Sequence, residues 1–118
     1  MKIIRKSEVN KESRPDGRTI QKFISENIDG LAGSYLMLTS EIPEGVNEPT
    51  HYHTDSTEIF YYLTPGNINI EGEEYSLSEG DVVVLEKGDV HSIQAKSDMK
   101  LLVIKIPDLP DKVIVEKE

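Results

Sequence analysis

The fold of this 118-residue chain is decided by two stretches, GVNEPTHYHTDSTE at residues 45–58 and GDVVVLEKGDVH at residues 80–91. They contain all three histidines of the sequence, and a glutamate follows the second histidine by five residues: His51, His53, Glu58 and His91. Histidines two residues apart on an extended strand point to the same side of it. Imidazole and carboxylate groups together suit divalent zinc, iron, nickel or manganese. The two stretches therefore predict a metal site on a β-scaffold.

The first stretch resembles the first signature motif of the cupin superfamily. That motif consists of a glycine, five residues, His-x-His, three or four residues, a glutamate, six residues and a final glycine. The chain matches it from Gly45 through both histidines to Glu58. At the last position Pro65 replaces the glycine, and Gly66 follows directly.

The second stretch resembles the second cupin motif, which runs from a glycine through Pro-x-Gly to a histidine and an asparagine. Gly80, Gly88 and His91 match it. Glu86 replaces the proline and Ala95 replaces the asparagine. All the residues that match cupin ligands are present. The departures therefore concern turn residues and neighbours of the site, not the ligands.

The resemblance implies both a fold and a metal site. In the superfamily, the residues that match His51, His53, Glu58 and His91 bind one metal ion. We therefore expect an antiparallel jelly-roll barrel that binds one divalent ion per chain, with iron, manganese, zinc and nickel as the alternatives. Dioxygenases, isomerases, decarboxylases and non-enzymatic binding proteins all use this scaffold, so the fold does not choose among these functions.

The rest of the sequence has the pattern of an all-β protein. Short apolar or alternating segments are separated by glycine- and proline-containing turns, which is typical of a sandwich or barrel. The run at 82–85 is interpreted as a buried strand, because it consists of β-branched and apolar residues. The predicted strands cover residues 19–24, 34–42, 57–63, 67–70, 74–77, 82–85, 91–95, 99–106 and 113–115.

The chain length predicts one domain, 1–118, with an N-terminal arm at 1–18, a barrel core at 34–106 and a C-terminal tail at 107–118. Short edge strands, such as Ile3-Ile4 and Val113-Ile114-Val115, leave backbone groups unpaired. Similar cupins often cover such edges with a second subunit. A homodimer is therefore predicted.

The charge distribution narrows the choice of partners. The formal net charge is −9, and no lysine or arginine occurs from Phe23 through Glu86. The chain lacks the basic surface that nucleic-acid binding requires. The acidic balance either favours solubility or leaves the metal as the principal positive charge in the pocket.

Location is a separate expectation. The sequence has no cysteine, no apolar run near the ~20 residues of a membrane helix, and no signal-peptide core at its start. We expect a cytoplasmic protein without a membrane partner.

Three aromatic residues are candidates for the substrate pocket: Tyr35, Phe60 and Tyr62. Phe60 and Tyr62 share one side of their strand with Glu58 by alternation. For both tyrosines the alternative is a core position with a satisfied hydroxyl group. Lys105 either extends to solvent along apolar neighbours or binds substrate. No catalytic residue is assigned, because no general base is evident.

Two functions remain open at this point. The first is a metal-dependent enzyme, dioxygenase-like or isomerase-like, that acts on a small organic or sugar-like molecule. The second is a non-catalytic module that binds or senses a small ligand or metal. The enzyme is the predicted function, and the short chain and the few polar candidates besides the metal ligands support the alternative.

Overall fold

A computed structural model describes residue 1 and residues 3–27 and 34–115. This part of the chain is all-β, as predicted, and has one short 3-10 helix at Lys6–Glu8. No helix in it is long and apolar enough to cross a membrane. The strands are β1 Glu12–Ser13, β2 Thr19–Asn27, β3 Ser34–Ile42, β4 Asn47–His53, β5 Thr57–Tyr62, β6 Gly66–Ile70, β7 Glu73–Leu77, β8 Val82–Leu85, β9 His91–Gln94, β10 Met99–Ile106 and β11 Lys112–Ile114.

The strands form two antiparallel sheets that close into the predicted jelly-roll barrel. The six-stranded sheet has the order β1-β2-β3-β10-β5-β8, and the five-stranded sheet has the order β11-β4-β9-β6-β7. The strands that carry the motif residues are divided between them. β4 and β9 are neighbours in the second sheet, whereas β5 belongs to the first. Residues from both sheets can therefore meet inside the barrel.

The core lies between the sheets and follows the alternation of the sequence. In β3, Leu36, Leu38, Ser40 and Ile42 are buried, and the residues between them are only half-buried. Successive strand residues face opposite sides of a sheet, so one face of β3 lines the barrel interior. Apolar inward residues of the other strands complete this core: Ile20, Phe60, Tyr62, Ile68, Leu85, Ile93, Met99, Leu101 and Val103.

The hairpin between β6 and β7 shows how the turn residues fix the register. Its two central residues, Glu71 and Gly72, both have positive φ angles, of 51° and 82°. A two-residue hairpin turn of this kind matches the twist of the strands and favours glycine. Strand pairing then runs without interruption from Ile70↔Glu73 to Gly66↔Leu77.

Strands that precede and follow the predicted barrel core, residues 34–106, pair with strands inside it. β2 lies beside β3, and β11 lies beside β4, the strand of the two motif histidines. Ile3 and Ile4 were predicted to form an edge strand, but they lie outside any strand and are exposed. Their two apolar side chains have no alternating pattern around them to form a strand face.

The prediction of a buried strand at 82–85 was wrong in one respect. β8 exists, but it is the edge strand of the six-stranded sheet, and Val82 and Val84 are 51% and 52% exposed. Only Leu85 is buried there. These valines lie on the outer face of the sheet, where Ile24, Met37, Ile104, Ile59 and Val84 form one row across five strands.

Candidate metal centre

Three strands bring the four motif residues together. β4 carries His51 and His53, Glu58 is the second residue of β5, and β9 begins at His91. His51 and His91 are direct partners in the β4–β9 pairing. One ligand atom from each of the four residues lies within 4.8 Å of the other three. The three imidazole rings are buried, and the Glu58 side chain is 12% exposed.

Each imidazole ring is held by its Nδ1 atom. Nδ1 of His51 lies 2.7 Å from the Pro49 carbonyl oxygen, and Nδ1 of His91 lies 2.9 Å from the Asp89 carbonyl oxygen. A carbonyl oxygen only accepts hydrogen bonds, so Nδ1 carries the proton in both rings and Nε2 has a free lone pair. Nδ1 of His53 has the same arrangement, 3.0 Å from a carboxylate oxygen of Asp111.

The atoms that face the centre lack ordinary partners. Among the described residues, Nε2 of His91 and Oε1 of Glu58 are buried without a hydrogen bond. Nε2 of His53 lies only 2.8 Å from Oε1 of Glu58, but the two atoms are not oriented for a hydrogen bond from a ring N–H group to the carboxylate. Buried polar groups nearly always have a hydrogen-bond partner. Unpaired nitrogen and oxygen lone pairs that converge on one point are instead arranged to bind a cation. The residues therefore fit a divalent metal ion.

The pKa values of the cluster follow from contact and burial. Contact with the Glu58 carboxylate raises the pKa of His53, whereas burial lowers the pKa of His51 to about 4. Burial would raise the pKa of Glu58, but its contact with His53 and the other two imidazoles lower it overall. Glu58 is thus ionised, and His51 is neutral, as a metal ligand must be.

We expect metal affinity to fall as the pH falls through the histidine range. His53 binds a proton at a higher pH than the ordinary histidine value, so below that pH a divalent ion must displace this proton. His51 stays neutral over the same interval, because its pKa is about 4. Titration calorimetry at pH 5 and pH 8 tests this, and equal affinity at the two values would contradict it.

The aromatic candidates lie in different places. The Phe60 ring is 6.2 Å from the His91 ring, centroid to centroid, and lines a cavity beside the cluster. Tyr62 is fully buried and donates a hydrogen bond of 3.2 Å to the Asn67 carbonyl oxygen, so it has the partner expected of a core tyrosine. Tyr35 alternates with the buried Leu36 and lies on the outer side of β3, away from the barrel interior. Its strand parity therefore removes it from the pocket.

Asp111 is a functional candidate that the sequence did not reveal. One of its carboxylate oxygens contacts Nδ1 of His53, and the other accepts backbone N–H groups of Asp55 and Ser56 at 2.8 and 2.7 Å. Burial opposes ionisation, but these N–H donors and His53 hold the pKa of Asp111 well below its usual range. Nζ of Lys105 lies 3.4 Å from Oδ1 of Asp111, the oxygen that also contacts His53. Lys105 is therefore directed to the C-terminal segment rather than to a substrate.

Glu48 and Arg18 are two further charged residues beside the cluster. Oε1 of Glu48 lies 3.3 Å from Nε2 of His51, and its Oε2 lies 3.5 Å from Nη1 of Arg18. Burial raises the pKa of Glu48. Arg18 thus brings a guanidinium group to the pocket from the N-terminal hairpin, so a bound metal would not be the only nearby positive charge.

A cavity of about 70 Å³ lies between these charged residues and the apolar interior. Arg18, Ser40, Glu48, Glu58 and Phe60 are among its lining residues. A larger depression of about 350 Å³ lies elsewhere and includes none of the four motif residues. Position beside the ligand atoms, rather than size, identifies the smaller cavity as the relevant one.

Comparison with known proteins agrees with this geometry. The family model described as the cupin domain matches residues 38–105. Quercetin 2,3-dioxygenase of Bacillus subtilis (strain 168) is 32% identical over 80 residues, which cover 65% of this chain and 23% of that protein. The chain therefore spans about a quarter of the length of this curated relative.

Solved structures share the fold at low sequence identity. The polyketide cyclase RemF from Streptomyces resistomycificus superposes with a TM-score of 0.79 at 19% identity, covering 100% of this chain and 87% of its own. KdgF from Halomonas sp. gives a TM-score of 0.77 at 16% identity, covering 93% and 96%. The family model covers more than half of the chain and includes every residue of the cluster. The chain therefore belongs to the cupin domain family.

Proposed function

We propose that this protein is a metal-dependent cupin enzyme, dioxygenase-like or isomerase-like, that acts on a small organic or sugar-like substrate. One divalent ion per chain is bound by His51, His53, Glu58 and His91. The observation that carries the proposal is the convergence of these four ligand atoms with their ring orientations fixed. Four protein ligands leave two positions open on a six-coordinate ion, and an open position distinguishes a catalytic from a structural site.

The bound ion would polarise substrate oxygen atoms as a Lewis acid, and iron or manganese would add redox chemistry. The chain supplies the surroundings. Glu58 contributes an ionised carboxylate, and the Phe60 ring with its apolar neighbours gives the cavity a largely apolar wall. The likeness to quercetin 2,3-dioxygenase favours an oxygen-dependent reaction, although it covers only part of that protein.

An oxygen electrode combined with a mass-spectrometric substrate screen tests the proposal. The screen uses iron-, manganese- and zinc-loaded protein with diols, enols and small sugars. Glu58→Ala removes the carboxylate ligand, whereas Glu86→Ala changes an exposed turn residue and is the matched control. Metal-dependent turnover that is lost in the first variant and kept in the second supports an enzyme. Oxygen consumption separates a dioxygenase from an isomerase.

Saturable ligand binding without product in any metal form would contradict the enzyme. It would indicate the alternative function, a non-catalytic module for a small ligand. The composition of the cavity wall supports this alternative, because its polar lining residues are few: Arg18, Ser40, Glu48 and Glu58.

We further propose that the protein is a homodimer that buries the outer face of the six-stranded sheet. Four exposed apolar side chains lie on this face: Tyr61, Val82, Val84 and Ile106. The half-buried row from Ile24 to Ile59 connects with them. Contiguous apolar patches on a protein surface mark interaction sites. Of the two predicted edges, Ile3-Ile4 forms no strand, and β11 has only three residues, so the sheet face offers more apolar side chains than either edge.

We expect light scattering to show a dimer at micromolar concentration and Val84→Glu to convert it to a monomer. A carboxylate within a buried apolar interface lacks a partner and destabilises association. Ile114→Glu is the matched control, because Ile114 is equally exposed, at 51%, but lies on the C-terminal edge strand. A dimer that survives the first change and not the second would place the interface at that edge.

A cytoplasmic location is the remaining part of the proposal. It is supported by the cysteine-free composition, which is compatible with a reducing compartment. Fractionation of the producing cells with an antibody against the protein tests it.

A further inference from the structure

The small cavity beside the candidate metal ligands has both apolar and polar lining residues. Most of its wall is apolar, with Leu38, Ile93 and Leu101 among the lining residues. Its volume of about 70 Å³ corresponds to roughly two water molecules at ~30 Å³ each. Pockets that enclose a drug-sized ligand measure ~300–1,000 Å³. The cavity is therefore suited to one functional group rather than to a ring system.

Ser40 supplies an unused hydrogen-bonding group to this cavity. It lies in β3 between Ile20 and Leu101, its partners on the neighbouring strands, and is 3% exposed. Its Oγ atom has no hydrogen-bond partner among the residues that the structure describes. Buried hydroxyl groups nearly always have a partner, so an unpaired one that lines a cavity indicates where a ligand binds.

Glu48 supplies a second polar group, and its position is fixed. The Arg18 guanidinium contacts Oε2 of Glu48 at 3.5 Å and is itself held by Asp16, with Nε 2.8 Å from the carboxylate. Oε1 of Glu48 lies 3.3 Å from Nε2 of His51, which is also one of the four candidate metal ligands. The Glu48 carboxylate therefore lines the cavity at its border with the cluster and is an acceptor for a ligand hydroxyl group.

We propose that this cavity is a subsite for the hydroxyl-bearing end of a small uncharged ligand, such as a vicinal diol or an α-hydroxy ketone. The ligand hydroxyl donates to Glu48 and accepts from Ser40. A second oxygen on the adjacent carbon faces two of the candidate metal ligands, His51 and Glu58. This inference rests on the proposed function and deepens it, because it names the chemical class of the substrate.

Binding of hydroxyacetone to the zinc-loaded 118-residue protein, followed by NMR titration, tests the subsite. Methoxyacetone is the matched ligand, because its methyl ether cannot donate a hydrogen bond. We expect hydroxyacetone to bind saturably and methoxyacetone to bind at least about fivefold more weakly, the effect of one lost hydrogen bond. Equal affinities, or no binding of hydroxyacetone, would overturn the subsite.

The Ser40→Ala variant tests the protein side of the same contact. We expect it to weaken hydroxyacetone about fivefold without lowering the melting temperature, since the removed hydroxyl has no partner. Thr39→Ala, on the opposite face of β3, is the control and should leave binding unchanged. Unchanged binding in Ser40→Ala, or a lowered melting temperature, would contradict the inference.

The two proposals fail in different ways. Ser40-dependent binding without turnover in any metal form supports the subsite and contradicts the enzyme. Metal-dependent turnover together with Ser40-independent binding supports the enzyme and contradicts the subsite.

Discussion

Chelation is expected to lower the melting temperature of the wild-type protein by roughly 10 °C, and His91→Ala is expected to abolish this response. An ion that binds only the folded state stabilises it by ~2.7 kcal/mol at a hundredfold excess over Kd. His91 is 1% exposed, and its free Nε2 atom lies 3.7 Å from Glu58 in the cluster. Without this imidazole the ion loses one of four protein ligands.

The measurement is the difference between melting temperatures with zinc and with chelator. This difference is informative because His91→Ala also removes a buried side chain and its bond to the Asp89 carbonyl oxygen, which lowers stability without metal. Gln94→Ala, at an exposed position of the same strand, is the control and should keep the wild-type difference. Identical melting curves for the wild type in zinc and in chelator would exclude a folded-state metal site.

Asp111→Asn is expected to weaken metal binding by about 10- to 100-fold, the usual effect of losing a group that orients a metal-binding histidine. The carboxylate accepts from Nδ1 of His53 with one oxygen and from the backbone N–H groups of Asp55 and Ser56 with the other. An asparagine side chain has a single oxygen, so it cannot serve both. The His53 ring would lose the contact that fixes its orientation and increases the basicity of its Nε2 atom.

Competition with a chromophoric chelator at constant pH measures this loss. Asp108→Asn is the matched control, because Asp108 also faces Lys105, at 3.9 Å, but does not contact His53. We expect the control to bind metal as the wild type does. If both variants bound metal equally well, the contact between Asp111 and His53 would be structural only.

The candidate ligand set was predictable because three of its members share one short motif and the fourth, His91, matches the histidine of the second cupin motif. The spacing of His51, His53 and Glu58 spans eight residues, and strand alternation alone places the two histidines on one face. Asp111 was not predictable in this way. It lies 58 residues from His53 in sequence, in a loop whose composition indicates only a turn. Its contact exists only because β11 pairs with β4.

Glu48 was missed for a different reason. It lies three residues before His51, and residues three apart on a regular strand face opposite sides. The β4–β9 pairing shifts register between these two residues, so both are buried. Such bulges redirect side chains and leave no clear mark in a single sequence. The exposed valines of β8 had a similar ambiguity, because periodicity does not show on which side a short apolar run is covered.

Residues on both sides of the family match support the candidate metal centre, Arg18 through Glu48 and Asp111 through His53, and this limits how the protein can be trimmed. A fragment cut to residues 38–105, the range of the family match, would keep all four ligand residues. It would lack Arg18 beside Glu48, Asp111 beside His53, the strands β1 and β2 at one side of the six-stranded sheet, and the edge strand β11 of the other sheet. A minimal scaffold for engineering should therefore be defined by these supporting contacts and extend at least from β1 through β11.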